Sequence, residues 1–250
     1  MKISLIGCGT IGKEIALAFE KKTINGTLTA LYDFIPKKSD ELKSILKNNS
    51  PIIAKNIQEA VNVSDFIIEC ASQNAVDQIS KLAFVQKKDI FILSVGALIA
   101  FPNILKSAQK HNCKVYFPSG AIAGLDAIRG AKLSKITSAV LATRKPPEAL
   151  GLKLKTEKII FNGTAKEAIK KYPANINVAA ALSLAGIGAE KTKVRIIADP
   201  KVKRNTHEIE VLSASGRIFT RTENLPSPGN PKTSYLASLA AISYLQEILK

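Results

Sequence analysis

Residues 2–16, KISLIGCGTIGKEIA, decide the fold of the first half of this chain. Ile3, Leu5 and Ile6 make a short apolar run. Gly7, Gly9 and Gly12 follow at G-x-G-x-x-G spacing, and Ile15 and Ala18 continue with helical period. The pattern reads as strand, tight glycine turn, helix. Gly7 permits the turn, Gly9 lets a pyrophosphate approach the backbone, and Gly12 lets helix and strand pack closely. A helix starting there aims free N–H groups and a partial positive charge at the phosphates. The apolar run 28–32 ends in Asp33, about 20 residues past the last glycine, where an acid belongs that holds ribose hydroxyls. Gly7, Gly9, Thr10, Ile11, Gly12 and Asp33 are therefore candidate contacts of a dinucleotide cofactor.

Outward from this segment, strands and helices alternate. Residues 39–47 read as a short helix after the break at Pro36, and 51–54 as a brief strand. The apolar run 66–70 closes in Glu69-Cys70-Ala71-Ser72 before a helical stretch, 75–85. Residues 89–93 form another strand, closed by Ser94-Val95-Gly96. A helix follows over 102–111 and a strand over 114–117. Such alternation predicts an α/β fold, a doubly wound parallel sheet of Rossmann type. Ligands of such sheets lie beyond the carboxyl ends of the strands. That places Asp33, Ala71, Ser72, Gly96 and the turn 118–120 around one crevice.

The second half changes character. Residues 120–133, GAIAGLDAIRGAKL, suit a helix and mark the passage between domains. A strand over 136–144 ends at Lys145-Pro146-Pro147, and 159–161 is short and apolar. Thr164 and Glu167 make a capping box that opens a helix to Lys171. Asn175 and Asn177 start the helix NVAAALSLAG, which Gly186 and Gly188 end. Residues 194–198, 207–214 and 217–223 read as successive strands, and 225–232, LPSPGNPK, as a Pro/Gly loop. A final helix from about 233 carries Leu236, Leu239, Ala240, Ile242, Leu245 and Ile248 on its expected buried face. Strands with helical interludes and no second glycine fingerprint predict an α+β substrate domain.

Composition narrows the class. At 250 residues the chain can bury a proper core. No apolar run approaches the ~20 residues of a membrane span, and the N-terminal segment reads as a first strand and not a signal peptide. The net charge of +16 is spread in pairs such as Lys21–Lys22 and Lys87–Lys88, without interleaved aromatics. It reads as a solvated basic surface that attracts anionic substrates, not as a nucleic-acid site. Three cysteines, Cys8, Cys70 and Cys113, and two histidines, His111 and His207, lack metal-ligand spacing, so no metal is expected. The expected compartment is the cytoplasm.

Hydride transfer needs a group that takes up a proton, and His207 is the outstanding candidate because histidine titrates near neutral pH. In NTHEIEV, period-2 alternation puts His207 and Ile209 on one face and Glu208 and Glu210 on the other. His111 ends a helix and reads as a partner of the helix dipole. Arg144, Lys145 and Lys232 are available to bind an anion, arginine in bidentate fashion and lysine as a point charge. Asn175 and Asn177 are suited to cap their helix or to bond a nicotinamide amide.

Taken together, the segments LIGCGTIG with the acid of LYD, ECAS, SVGAL, PSGAIAGLDAI, TRKPP, NINVAAALSLAG, VRIIADP, NTHEIEV and LPSPGNPKTSYLASLAAI resemble the L-aspartate dehydrogenase family, in its order and over almost the whole chain. The resemblance implies NAD(P)-dependent oxidative deamination of L-aspartate to iminosuccinate. That product hydrolyses to oxaloacetate and ammonia or feeds NAD (pyridine nucleotide) biosynthesis. It implies His207 as the catalytic acid–base, with Ala121 or Ala123 and Asn177 or Asn175 as cofactor contacts. Asn230 and Lys232 become candidate substrate contacts, although LPSPGNPK has one residue more than the family's PS-x-NPKTS form. A homodimer built through the second domain is also implied, with the C-terminal helix packing back onto the first. The division expected is 1–119 with 233–250 as the dinucleotide-binding domain and 120–232 as the substrate and dimerisation domain. The alternatives are a related reductase acting on homoserine or a cyclic imine, and a dinucleotide-sensing regulator that binds nucleic acid. Asp33 favours NAD, while Lys37 and Lys38 make room for NADP.

Overall fold

The computed structural model describes residues 1–172 and 176–250, with the backbone alone for Pro231 and Lys232. The chain divides into two compact units, one of residues 1–118 with 238–250 and one of residues 119–237.

In the first unit, β1 (Lys2–Ile6), α1 (Thr10–Glu20), β2 (Thr27–Tyr32), α2 (Pro36–Ser44), β3 (Ile52–Ile53), α3 (Ile57–Asn62), β4 (Phe66–Glu69), α4 (Gln73–Phe84), β5 (Asp89–Ile92), α5 (Ala97–Ala100), α6 (Asn103–Lys110) and β6 (Val115–Tyr116) follow one another. Their strands form a six-stranded sheet in the order β3-β2-β1-β4-β5-β6, every pairing parallel. Strand order reverses between β1 and β4, the place where doubly wound sheets open a ligand crevice. A central parallel strand is covered on both faces, and all four residues of β4 are buried. The helix expected over 39–47 spans 36–44 instead, because Pro36 stands in its first turn, where a proline lacks nothing the helix needs.

The second unit contains α7 (Leu125–Lys132), β7 (Ile136–Lys145), a 3₁₀ turn (Pro147–Leu150), β8 (Lys158–Thr164), α8 (Ala165–Lys171), α9 (Asn177–Ala185), β9 (Lys193–Ala198), β10 (Asn205–Ser213), β11 (Gly216–Asn224), β12 (Pro226–Ser227) and β13 (Asn230–Ser234). A mixed five-stranded sheet has the order β11-β10-β7-β9-β8, with only β7 and β9 parallel. The capping box of Thr164 and Glu167 is present at the start of α8.

Three expectations need correcting here. GAIAGLDAIRGAKL is helical only from Leu125, because Gly120 and Gly124 adopt left-handed φ of 69° and 83°. LPSPGNPK is not a plain loop, since β12 and β13 pair within it as a small antiparallel hairpin. The final helix, α10 (Tyr235–Ile248), buries Ser238, Ala241 and Leu245, while Leu236 and Leu239 stand 38% and 43% exposed. Spacing alone did not separate two neighbouring apolar stripes of one helix. The stripe that packs places Ala241, Leu245 and Leu249 against Ile3, Ile15, Phe19 and Phe91 in the core of the first unit. Among the described residues no helix is long and apolar enough to cross a membrane.

Candidate active site

The glycine turn is built by exclusion. Gly7 has φ of 99°, and a Cβ there would lie 2.5 Å from the carbonyl of Cys70. A Cβ on Gly12 would lie 2.0 Å from the carbonyl oxygen of Gly7, so helix and turn meet backbone to backbone. Gly9 is different, with no atom within 4 Å of where its Cβ would stand. It caps α1, which has no side-chain cap and no acid in its first turn. The amides of Thr10, Ile11 and Gly12, in the first turn of α1, have no partner within the helix, and among the described residues no side chain caps them. This fits a pyrophosphate, whose oxygens supply the acceptors and the negative charge that this end of the helix favours.

Asp33 stands just beyond β2. Its Oδ2 accepts from the Cys8 amide at 2.8 Å and its Oδ1 from the Ile35 amide at 2.9 Å. The carboxylate is therefore aimed by the glycine turn itself and keeps lone pairs for ribose hydroxyls. The Ser72 hydroxyl caps α4 by accepting from the Ala75 amide, and the Ala71 amide is turned inward to Glu69. Cys8 is buried in the turn and Cys70 half-buried beside it, and desolvation raises both thiols, Cys8 up to about 11, which makes them inert fillers.

Sequence reading passed over Glu69. It is fully buried at the end of β4, where Oε1 accepts from the Ala71 amide and the Ser94 hydroxyl and Oε2 from the amides of Leu93 and Ser94. Burial raises its proton affinity, and the hydrogen bonds pull the other way. One carboxylate so ties together the loops after β4 and β5 at the carboxyl edge of the sheet. An acid closing an otherwise apolar strand was the available signal.

In the second unit the chemistry is carried by side chains. His207 is the third residue of β10 and lies opposite Thr143 of β7. Its Nδ1 is 2.9 Å from Thr143 Oγ1, and its Nε2 is 3.5 Å from Asn205 Nδ2, which donates to Ser234 Oγ at 2.8 Å. Donation from Nδ1 to Thr143 leaves Nε2 with a lone pair, the form a base requires. The imidazole is only 5% exposed. Burial, and then the charge of Lys145, push it down to about 4, well below the neutral-range titration expected from sequence. His207 is thus held uncharged.

Strand alternation separates the two cations at the end of β7. Lys145 lies on the same face as Thr143 and borders two cavities. One, of about 470 Å³, is lined by Thr143, Ile160, Tyr172, Ile176 and Ile196 among others. The other, of about 80 Å³, is lined by Lys203, Arg204, Asn205, Thr233 and Ser234 among others. Arg144 does not belong to this site, contrary to expectation. Its guanidinium is taken up by Glu157, Asp199 and Glu208 at 2.6, 3.0 and 3.3 Å, on the alternate face of the strand.

The remaining candidates are less telling. The carbonyl of Ala121 accepts from Thr222 Oγ1 and Asn224 Nδ2, and that of Ala123 from Thr220 Oγ1, which fixes the segment between the left-handed glycines. Asn177 is the first residue of α9, and Asn230 opens β13. Asn175 lies outside the described residues, as does the side chain of Lys232. His111 ends α6 with Nδ1 2.9 Å from the Ser107 carbonyl, a helix-end role. Thr143, Asn205 and Ser234 went unnoticed in sequence because each becomes informative only through its distance to His207. Among the described residues no group of three His, Cys, Asp or Glu side chains is placed to hold a metal.

Comparison with known proteins places this geometry. Residues 126–248 match the family model described as aspartate dehydrogenase, C-terminal, and residues 7–118 match homoserine dehydrogenase, NAD binding domain. The L-aspartate dehydrogenase of Methanosarcina barkeri is 50% identical, over 100% of this chain and 97% of its own length. That of Nitrosopumilus maritimus is 40% identical, over 98% of this chain and 96% of its own length. The crystal structure of aspartate dehydrogenase from Thermotoga maritima superposes with a TM-score of 0.82 at 30% identity, covering 100% of this chain and 97% of that one. On identity and coverage of this order, the chain belongs to the L-aspartate dehydrogenase family.

Proposed function

We propose that the chain catalyses the NAD(P)-dependent oxidative deamination of L-aspartate. The product is iminosuccinate, which water converts to oxaloacetate and ammonia or which feeds NAD biosynthesis. The observation that carries this reading is His207, a buried neutral imidazole braced at Nδ1 by Thr143, with Nε2 turned to side chains that line a cationic pocket. The family names of the relatives agree with it.

Gly7, Gly9, Thr10, Ile11, Gly12, Asp33, Ala71 and Ser72 hold the adenosine and pyrophosphate end of the cofactor in this reading. Ala121, Ala123 and Asn177 address the nicotinamide, which supplies the hydride acceptor when bound. His207 takes one proton from the α-ammonium of the substrate, so that the nitrogen lone pair expels the Cα hydride and an imine forms. The imine is born protonated, as an iminium, so that first proton passes to solvent. The freed His207 then accepts one from the water that adds to the iminium carbon and hands it to the nitrogen, which leaves as ammonia while the hydroxyl proton is lost and the carbonyl forms. Asp33 favours NAD by accepting from a ribose 2′-hydroxyl, with Lys37 and Lys38 admitting NADP. A homodimer through the second unit is supported by apolar side chains exposed on the outer strands of its sheet, including Ile159 of β8 and Phe219 of β11 at 54% and 55% exposed. Cytoplasmic placement is supported by the three free thiols.

Reduction of NAD⁺ and NADP⁺ by the purified chain, followed by cofactor absorbance, tests the reading. L-Aspartate is expected to drive turnover and L-homoserine is not. Turnover on homoserine alone, or on neither, overturns it.

A further inference from the structure

Lys145 is an ammonium with no counter-charge among the described residues. It ends β7 where the chain leaves the sheet for Pro146, and its side chain is half-buried. Among the described residues it makes no ion pair and no hydrogen bond through its side chain, and desolvation alone lowers its proton affinity. The nearby acids are committed elsewhere. Glu157, Asp199 and Glu208 bind Arg144, and Glu208 and Glu223 bind Arg221. Glu148 lines the larger cavity without coming within ion-pair distance of Lys145. Withdrawing an unpaired cation from water is unfavourable, and chains keep such groups where an anion arrives to pair with them.

The smaller cavity says what kind of anion. Around it stand Lys145, Lys203, Arg204, Asn205, Thr233 and Ser234, with cations and hydroxyls and, among the described residues, no carboxylate. Its volume of about 80 Å³ admits a carboxylate-sized group, given a share of roughly 30 Å³ per water in the liquid. It lies beside His207, because Asn205 and Ser234 form both the wall of the cavity and the chain of contacts to Nε2.

Resting on the reading of the chain as a dehydrogenase of an acidic substrate, we propose that Lys145 holds a carboxylate of that substrate in the small cavity beside His207. The groups that face His207 leave few alternatives. Thr143 and Lys145 come from β7, Thr222 pairs with it from β11, and Asn205 and Ser234 close on Nε2. The other ionisable groups around the two cavities are Glu148, Tyr172, Lys203 and Arg204. Among the described residues, the charge of Lys145 adds to burial in opposing a proton on the imidazole. A carboxylate in its place of rest removes that opposition and adds an attraction of its own. His207 then takes up a proton more readily with substrate bound than in the empty site, although its burial remains.

With two histidines in the chain, ring-proton NMR reads His207 and His111 separately, His111→Gln fixing the assignment. Succinate serves as the probe, being a dicarboxylate with no amine to oxidise. Saturating succinate is expected to raise the His207 midpoint by about one pH unit or more in the wild type. In Lys145→Met the midpoint of the free protein rises, succinate no longer moves it, and kcat/KM for L-aspartate falls on the order of 10²-fold while reduced-cofactor binding and Tm stay unchanged. Lys145→Arg, which keeps the charge, retains the succinate response. An unmoved His207 in the wild type, or a Lys145→Met protein that binds and responds to succinate as the wild type does, overturns the proposal. Absence of aspartate turnover in the wild type would instead fault the reading beneath it, and the succinate titration is read independently of turnover.

Discussion

The two units carry their candidate functional residues on opposite plans. In the glycine turn the work is done by atoms that are missing. Two absent Cβ atoms let backbone approach backbone, and a third leaves open space before an uncapped helix. In the second unit the work is done by side chains, His207, Thr143, Asn205 and Lys145, carried on adjoining strands and a hairpin. A backbone site tolerates no added atom, whereas a side-chain site is tuned by burial and by neighbouring charge. Binding of a constant molecule suits the first plan, and proton chemistry suits the second.

The contrast is tested most severely by His207→Ala. Turnover with aspartate is expected to fall by about 10²–10⁴-fold with reduced-cofactor affinity unchanged. Equal loss of both, measured by steady-state kinetics and by fluorescence titration of the reduced cofactor, would mean that the two plans are not separable.

Next in size is the pH dependence of stability. Unfolded, the imidazole takes its proton near 6.5, but in the fold only near 4. Between those values the unfolded chain binds a proton that the folded chain refuses. Stability therefore falls as pH drops from about 6.5 towards 4, by about 3 kcal/mol at about 1.4 kcal/mol per unit, and the effect is absent above that window. Denaturant unfolding of wild type and His207→Gln across this range checks it, and parallel curves would discard the buried neutral histidine.

A glycine pair sharpens the other side of the comparison. Gly12→Ala, whose new Cβ meets the Gly7 carbonyl, is expected to destabilise the fold by about 2–3 kcal/mol. Gly9→Ala, with free space around it, should leave Tm within a degree or two of wild type and still weaken the cofactor by about tenfold, since the methyl stands where a pyrophosphate comes close. Thermal melts alongside cofactor titrations separate the two, and equal Tm losses would contradict the open space at Gly9. Smallest is Thr143→Val, which keeps the shape and removes the brace on Nδ1. A loss of about 1 kcal/mol, or some fivefold in kcat, is expected, with KM for the cofactor unmoved.

This difference between the plans also explains what was legible beforehand. Gly7, Gly12 and Asp33 announce themselves because a backbone site prescribes residue types at fixed spacing along one short segment. The side-chain site is assembled from two short stretches far apart in sequence, 143–145 and 205–207, and its meaning lies in register. Arg144 and Lys145 are adjacent cations of equal promise in the sequence. The pairing of His207 with Thr143 across two strands decides which of them faces the base and which joins the carboxylates behind the sheet. The span 120–133 misled for a related reason, since small residues suit a helix while two left-handed glycines hold the segment open. Glu69 was hidden by company, as an acid at a strand end reads as solvated until the four donors around it are seen.

The closing helix has a consequence for how the molecule comes into being. Ala241, Leu245 and Leu249 belong to the core of the dinucleotide unit, yet the whole of residues 119–237 is synthesised before them. The first unit, although it is made first, waits with an unfilled groove beside Phe19 and Phe91 until the second has emerged, and the long loop this closes makes its consolidation a slow, non-local step. Partly made chains therefore present that apolar groove to their surroundings, and the order in which the two units become stable runs against the order in which they are translated.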